Sequence, residues 1–394
     1  MKFKLIMLLT AIALQKSYAQ LPEVFLLNPT HMAAKKAAYK NNDAQVKAQV
    51  DRVVKIADEH LADKPASVME KSLTPPNGSK HDYMSMAPYF WPDPSKADGL
   101  PYIRKDGQRN PEIKKIIDHA LLSDLETRCK YLSLAYYFTH DEKYAVKTND
   151  LLKVWFIDAD TRMNPNLNYA QAVRGVNDGR GIGIIETRAL ANLADWMGLL
   201  AGSKSFPAQN LAAIKDWYKQ YLNWMTTSKN GKDEHNAKNN HGTHYDVQEI
   251  TFALFTGNNE LAKQVLNAAK KRIDLQIEPN GEQKLELERT NALGYSTMNL
   301  DGWVNMAMLG DRAGVDLWNY TSTDGRSIKK AIDWLMPYAL GTQPFKYQQI
   351  NPYNKDEFYR PVLLMGLATK DQSYLKTAAI LRKNESYLTD LLYN

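Results

Sequence analysis

Hydrophobic positions recur along most of this chain at helical spacing. Val46, Val50, Val53, Val54, Ala57 and Leu61 fall on one helical face. So do Leu121, Leu122, Leu125, Cys129, Leu132 and Tyr136, and further on Leu211, Ile214, Trp217, Tyr218, Tyr221, Trp224 and Met225. Leu261, Val265, Leu266, Ala269 and Ile273 make a fourth stripe, and Ile328, Ala331, Ile332 and Leu335 a fifth. Each follows the i, i+3, i+4, i+7 pattern of an amphipathic helix. Strand-like alternation never runs beyond a few residues.

A weak internal repeat underlies these stripes. The turns at residues 139–144, 256–261 and 369–374 each open with a threonine, continue through four polar or glycine residues, and close on Tyr144, Leu261 or Tyr374. The segments before them (131–138, 251–255 and 362–368) are apolar on nearly every side, as a fully buried inner helix requires. The segments after them are amphipathic, as outer helices should be. Antiparallel helix pairs stacked side by side predict an all-α fold, an incomplete α/α toroid. No linker composition divides the chain, so residues 20–394 are expected to form one catalytic domain. Two stretches break the pattern, 73–111 with its prolines and aromatics and 159–183 with its glycines and asparagines. Irregular segments this long in a compact domain are usually functional.

Composition narrows the class. The chain has 394 residues, 44% hydrophobic and 24% charged, which excludes a disordered or fibrous protein. A single cysteine, Cys129, excludes a disulfide framework or a multi-cysteine metal site. The net charge of +6 is spread thinly, with no basic block that would serve nucleic acid. Lys2 and Lys4, the apolar run Leu5 to Leu14, and Ser17-Tyr18-Ala19 have the form of a signal peptide cleaved after Ala19. No cysteine follows that site to carry a lipid, and no second long apolar run exists. A periplasmic or secreted monomer with no membrane span is expected.

The densest polar cluster runs from Glu234 to Asp246, just before a predicted inner helix, and includes His235, Asn239, Asn240, His241 and His244. A second runs from Glu286 to Tyr295 and holds Arg289. A third is Glu186-Thr187-Arg188. At the mouth of inner helices, all three would face a central cavity. His235, His241, His244 and Glu249 could in principle ligate zinc. The glycine and the asparagine run favour a loop of amide donors instead, and amides are poor zinc ligands, so neither metal nor cofactor is expected. Asn, His, Arg and Tyr together suit a different chemistry, elimination of a 4-O-linked sugar from a uronic acid. That reaction needs a base for the C5 proton, partners for the C6 carboxylate as it takes up enolate charge, and a proton for O4. Asn, His and Arg are suitable carboxylate partners, and a tyrosine whose pKa a nearby cation lowers is a suitable proton carrier.

These residues carry a resemblance. Ser85-Met-Ala-Pro-Tyr-Phe-Trp-Pro-Asp-Pro94, Gly99-Leu-Pro-Tyr-Ile-Arg-Lys-Asp-Gly107, Thr161-Arg-Met-Asn-Pro-Asn-Leu-Asn168 and Asn239-Asn-His241 resemble signatures of the alginate lyase superfamily of helical toroids, as does the pair Arg289 and Tyr295. The similarity spans roughly residues 65 to 370. It implies β-elimination of alginate or a related anionic polyuronate, glucuronan included. By this resemblance Asn240 and His241 address the carboxylate and the C5 side of the sugar, while Arg289 completes neutralisation and holds Tyr295 near the leaving oxygen. Gly242-Thr243-His244 and the six-residue Arg-to-Tyr spacing depart from the family pattern and indicate a divergent branch. Glu234, Asn239, His244 and Arg188 are further candidate sugar contacts. In the aromatic loop Tyr89, Tyr102 and Arg104 are expected to face the sugar, whereas Trp91 is expected to pack the loop. Should the toroid instead host a hydrolase, Glu186, Glu234, Glu286 and Glu288 are the candidate acids.

Overall fold

The computed structural model describes residues 21–383 and 386–394. The expected signal peptide lies outside them. Fifteen α-helices, four 3-10 helices and four short strands make up the regular structure of the described residues, and all five hydrophobic stripes lie on helices. The predicted inner helices are Asp118–Thr139, Ala189–Gly198, Asn240–Phe255, Ala292–Ala313 and Tyr359–Thr369. Each is followed by an outer helix: Glu142–Phe156, Ala208–Thr227, Asn259–Gln276, Ile328–Ala339 and Gln372–Leu381. Consecutive inner helices touch in chain order, and the helices Pro29–Lys40, Ala44–His60 and Tyr387–Tyr393 occupy the gap between the last and the first. The result is the expected incomplete α/α toroid.

The repeated turns have one physical basis. Thr139, Thr256 and Thr369 each donate their hydroxyl to the carbonyl four residues back, on Ala135, Phe252 and Met365. A left-handed residue then reverses the chain: His140 at φ 58°, Gly257 at φ 85° and Lys370 at φ 57°. Asp141, Asn258 and Asp371 cap the outer helices by accepting from Lys143, Leu261 and Ser373 backbone N–H groups. Such caps contribute about 1 kcal/mol each.

The inner helix Asn240–Phe255 shows the extreme of burial. Every residue in it is buried except His241. Gly242 is needed there because a Cβ would overlap the Ala237 carbonyl oxygen and the Arg272 guanidinium. That accounts for the unusual Gly-Thr-His sequence: Gly242 permits close approach, Thr243 donates to Gln276 at 2.8 Å, and His244 turns inward.

The two irregular stretches meet each other. Met84–Met86 pairs in parallel with Tyr169–Ala172, and Phe90–Trp91 pairs antiparallel with Ile103–Arg104. These pairings carry no period-2 signature in sequence because the strands are two to four residues long. Side chains anchor the loops to the toroid. Asp82 accepts from the Asn164 and Asn166 amides at 2.8 and 3.1 Å. Lys71 forms a wholly buried ion pair with Asp118, 3.0 Å away, at the start of the first inner helix. The Thr161–Asn168 motif therefore has a structural part: it fixes the segment that leads to Tyr89.

Candidate active site

A cleft of about 520 Å³ opens where the inner helices begin. Its walls carry Tyr89, Arg104, Gln171, Glu186, Asn239, Asn240, His241, Arg289 and Tyr295, with Arg109, Arg180 and Arg188 completing a set of five arginines against one carboxylate. The Ala189–Gly198, Asn240–Phe255 and Ala292–Ala313 helices all present their N-terminal ends here. The positive ends of the helix dipoles and the arginines give the cleft the electrostatics of an anion site.

Tyr295 sits one turn inside its helix. Its hydroxyl is 2.8 Å from that of Tyr89, which the aromatic loop delivers. The guanidinium carbon of Arg289 lies 3.7 Å from the Tyr295 ring centroid. Asp106 holds this arginine, accepting from Nε at 3.1 Å and Nη2 at 2.8 Å, and also accepts from the Thr290 backbone N–H at 3.2 Å. Burial alone would raise the Asp106 carboxyl, but these bonds and the arginine charge hold it well below the usual carboxylate range. Burial raises the Tyr295 phenol above its ordinary value, Tyr89 adds to the rise, and Arg289 only partly opposes it. The cation is therefore where the sequence places it, but its expected lowering of the tyrosine pKa is overridden by burial.

His241 shows 16% of its side chain to solvent, and its Nδ1 lies 2.7 Å from Glu234 Oε1. Donation from Nδ1 to that carboxylate leaves Nε2 as the nitrogen available for chemistry. Asn240 donates its backbone N–H to Glu286 Oε1 and its side-chain Nδ2 to Glu286 Oε2, both at 2.6 Å. The second Nδ2 hydrogen takes no part in that pair. Burial raises the Glu286 carboxyl against the pull of those Asn240 donors. Asn239 caps the helix by accepting from the His241 N–H and borders the cleft.

Most of the proposed site residues are brought together: Tyr89, Arg104, Arg188, Asn239, Asn240, His241, Arg289 and Tyr295 all line the cleft. Three do not line it. Tyr102 is 7% exposed in a satellite cluster with Ala87 and Val173. Its hydroxyl donates to Glu112 at 2.6 Å, so the expectation that it faces a sugar is corrected. Trp91 does hold the loop, donating Nε1 to the Gln108 carbonyl. Glu234 is 1% exposed and bonds His241. His244, one helical turn from His241, lines a separate inner cavity of about 580 Å³ behind Arg188 and Met298. Burial and nearby Arg188 push its pKa down to about 3, so it stays neutral.

The zinc set weighed from sequence is not assembled. His241 turns to Glu234 and His244 to the inner cavity, while His235 and Glu249 lie on the far side of the helix. The four candidate hydrolase acids also disperse. Glu234 and Glu286 are bonded to His241 and Asn240, Glu288 borders a neighbouring cavity, and Glu186 accepts from Tyr83 and Ser85 at 2.8 and 2.6 Å. Sequence reasoning missed Asp106, although it stands between Arg104 and Gly107 in a motif already singled out. It also missed Gln171 and Arg180, which bond each other at 3.0 Å on the cleft wall. Gln171 has φ 50°, a conformation with no signature in a glutamine.

The family model for alginate lyases matches residues 67–345. The crystal structure of an alginate lyase from Bacteroides ovatus is 40% identical, with a TM-score of 0.90 over 95% of this chain and 100% of that one. The crystal structure of alginate lyase A1-III from Sphingomonas species A1 is 15% identical, with a TM-score of 0.56 over 88% of this chain and 90% of that one. A variant of alginate lyase A1-III complexed with a tetrasaccharide is 14% identical, with a TM-score of 0.58 over 89% and 90%. These last two share the fold. No curated protein matches the chain. On the family match, on the 40% identity across nearly its whole length and on a toroid of the same shape, the chain belongs to the alginate lyase family and is a polysaccharide lyase.

Proposed function

We propose that the protein cleaves alginate, 1,4-linked mannuronate and guluronate, by β-elimination without a metal ion. The observation that carries this reading is the placement of Tyr295, Arg289, Asn240 and His241 around one cleft lined by five arginines. The uronate carboxylate would lie against the free Asn240 Nδ2 hydrogen and the cleft arginines, where charge-assisted bonds stabilise the enolate as it forms. A base removes the C5 proton, the C5–H electrons form the C4=C5 double bond, the C4–O4 bond breaks, and O4 takes a proton. In guluronate the C5 hydrogen and O4 are anti. His241 Nε2 would take the proton on one face and the Tyr295 hydroxyl would give one on the other. In mannuronate they are syn, so Tyr295 would serve both steps, with the Arg289 cation stabilising its phenolate. Neither route needs a metal, because side-chain cations meet the carboxylate charge.

The test is incubation with mannuronate-rich alginate, guluronate-rich alginate and glucuronan, each with and without chelator. Growing ultraviolet absorbance from a 4,5-unsaturated end, undiminished by chelator, is expected with alginate. New reducing ends without that absorbance would mean hydrolysis. Loss of activity on chelation would overturn the metal-free reading, and turnover on glucuronan alone would reassign the substrate. The signal peptide, cleaved after Ala19, would direct the enzyme to the periplasm or outside the cell.

A further inference from the structure

We propose that His235, Asp246 and Glu249 form a binding site for a divalent transition ion of the zinc type, behind the catalytic helix and outside the cleft. One potential ligand atom from each lies within 4.8 Å of the other two. His235 Nδ1 is 3.8 Å from Asp246 Oδ1 and 3.8 Å from Glu249 Oε2. Bonds of about 2.0–2.2 Å in a tetrahedral zinc site set ligand atoms roughly 3.4 Å apart, so small inward movements would seat an ion. The half-exposed His235 has the freedom to make them.

A second observation points to a ligand. Glu249 is 5% exposed and its Oε2 is buried with no hydrogen-bond partner, yet it faces His235. A buried carboxylate oxygen without a donor is costly, and a cation is the partner that would relieve it. Asp246, 2% exposed, is held by Arg272 through Nε at 2.7 Å and Nη2 at 3.0 Å. Carboxylates that ligate a metal are themselves commonly hydrogen-bonded in this way. Two carboxylates outweigh the single guanidinium. His235 borders an open cavity of about 490 Å³, which gives an ion its entry path and a water its fourth position. One imidazole and two carboxylates favour zinc over calcium, which takes six to eight oxygens.

The position gives the ion a consequence. His235 ends the short helix Lys229–His235, and its neighbour Glu234 bonds His241. An ion joining His235 to Asp246 and Glu249 would clip that short helix to Asn240–Phe255, while Glu234 bonds His241 at 2.7 Å independently of it. It would take no part in bond breaking, so the site stands or falls apart from the elimination reading.

The experiment uses the full chain stripped with chelator, then titrated with zinc ion alone by calorimetry, with melting temperature followed in parallel. One zinc per chain and a rise of several degrees are expected. His235→Ala and Glu249→Gln should each weaken binding by about 10- to 100-fold while retaining the far-ultraviolet circular dichroism of the parent. The exposure of His235 makes its variant the safer of the two for folding. Absence of zinc binding would mean that a proton occupies the Glu249 site, and would overturn the proposal. So would unchanged zinc binding in both variants, or calcium binding as tight as zinc.

Discussion

A Tyr295 phenol raised by burial keeps its proton at neutral pH in the resting protein. Under the proposed reaction that state suits guluronate at once, since there the tyrosine serves as acid and His241 as base. Mannuronate requires the phenolate first, and its fraction grows with pH. The sign follows: kcat/KM on mannuronate-rich substrate should climb further into the alkaline range than on guluronate-rich substrate, which should level off or fall. Parallel pH–rate profiles on the two block types check this, and coincident profiles would remove the division of labour. Tyr295→Phe should abolish turnover on both while polymer still binds. His241 depends on Glu234 in turn. Glu234→Gln allows the amide to donate to Nδ1 and select the wrong tautomer, a fault that costs a hundredfold or more in comparable dyads. We expect kcat to fall by about that factor on guluronate-rich substrate with KM little changed. A loss confined to KM would instead make Glu234 a simple support of the helix end.

At the scale of elements, the irregular stretch 73–111 acts through two contacts: Tyr89 reaches Tyr295, and Asp106 clamps Arg289. Asp106→Asn removes the charge that holds the guanidinium against the Tyr295 ring. A displacement of about 1 Å at a catalytic group costs up to 10²-fold, so we expect kcat/KM to drop by about 10- to 100-fold with little change in melting temperature. Equal losses in activity and melting temperature would mean that Asp106 only holds the loop. The contrast between Asp106 and Tyr102 marks how far the sequence can be followed. The helix pairs were legible because threonine turns and apolar runs are local signals, and Asn240, His241, Arg289 and Tyr295 because they stand beside the inner helices those signals define. Tyr102 and Asp106 share one loop whose path depends on the pairing of Phe90–Trp91 with Ile103–Arg104, and that pairing leaves no periodic trace. The direction in which a loop side chain points was therefore not legible. His244 failed for another reason. One turn from His241 on a helix packed on nearly all sides, it faces an inner cavity that only the assembled helices create.

Across the whole molecule, the open ring of helices needs fastening at the end away from the cleft. Tyr295 and Arg312 lie at opposite ends of the Ala292–Ala313 helix, roughly 25 Å apart at 1.5 Å per residue. Near Arg312 the segment formed by Val24, Phe25, Leu26 and Leu27 crosses to the Ala189–Gly198 helix. There Asp195, 1% exposed, accepts from the backbone N–H groups of Phe25, Leu26 and Leu27 at 2.6, 2.9 and 2.7 Å. Arg312 donates to the Phe25 and Leu27 carbonyls. The segment thus sutures two inner helices whose other ends carry Arg188 and Tyr295. Asp195→Ala leaves three buried N–H groups without acceptors and Arg312 with Asp311 as its remaining counter-charge. At about 1 kcal/mol or more for each unmet donor, the loss comes to roughly 3–5 kcal/mol. For a domain of this size that corresponds to a fall in melting temperature of several degrees. Because Arg312, where the suture is tied, is some 25 Å from Tyr295, kcat/KM at temperatures well below the transition should stay within about twofold of the parent. Calorimetry and initial rates on the same preparation decide the matter. A variant that melts like the parent would show that the ring holds without the suture. One that melts early and also loses activity at low temperature would show that the far end sets the geometry of the cleft.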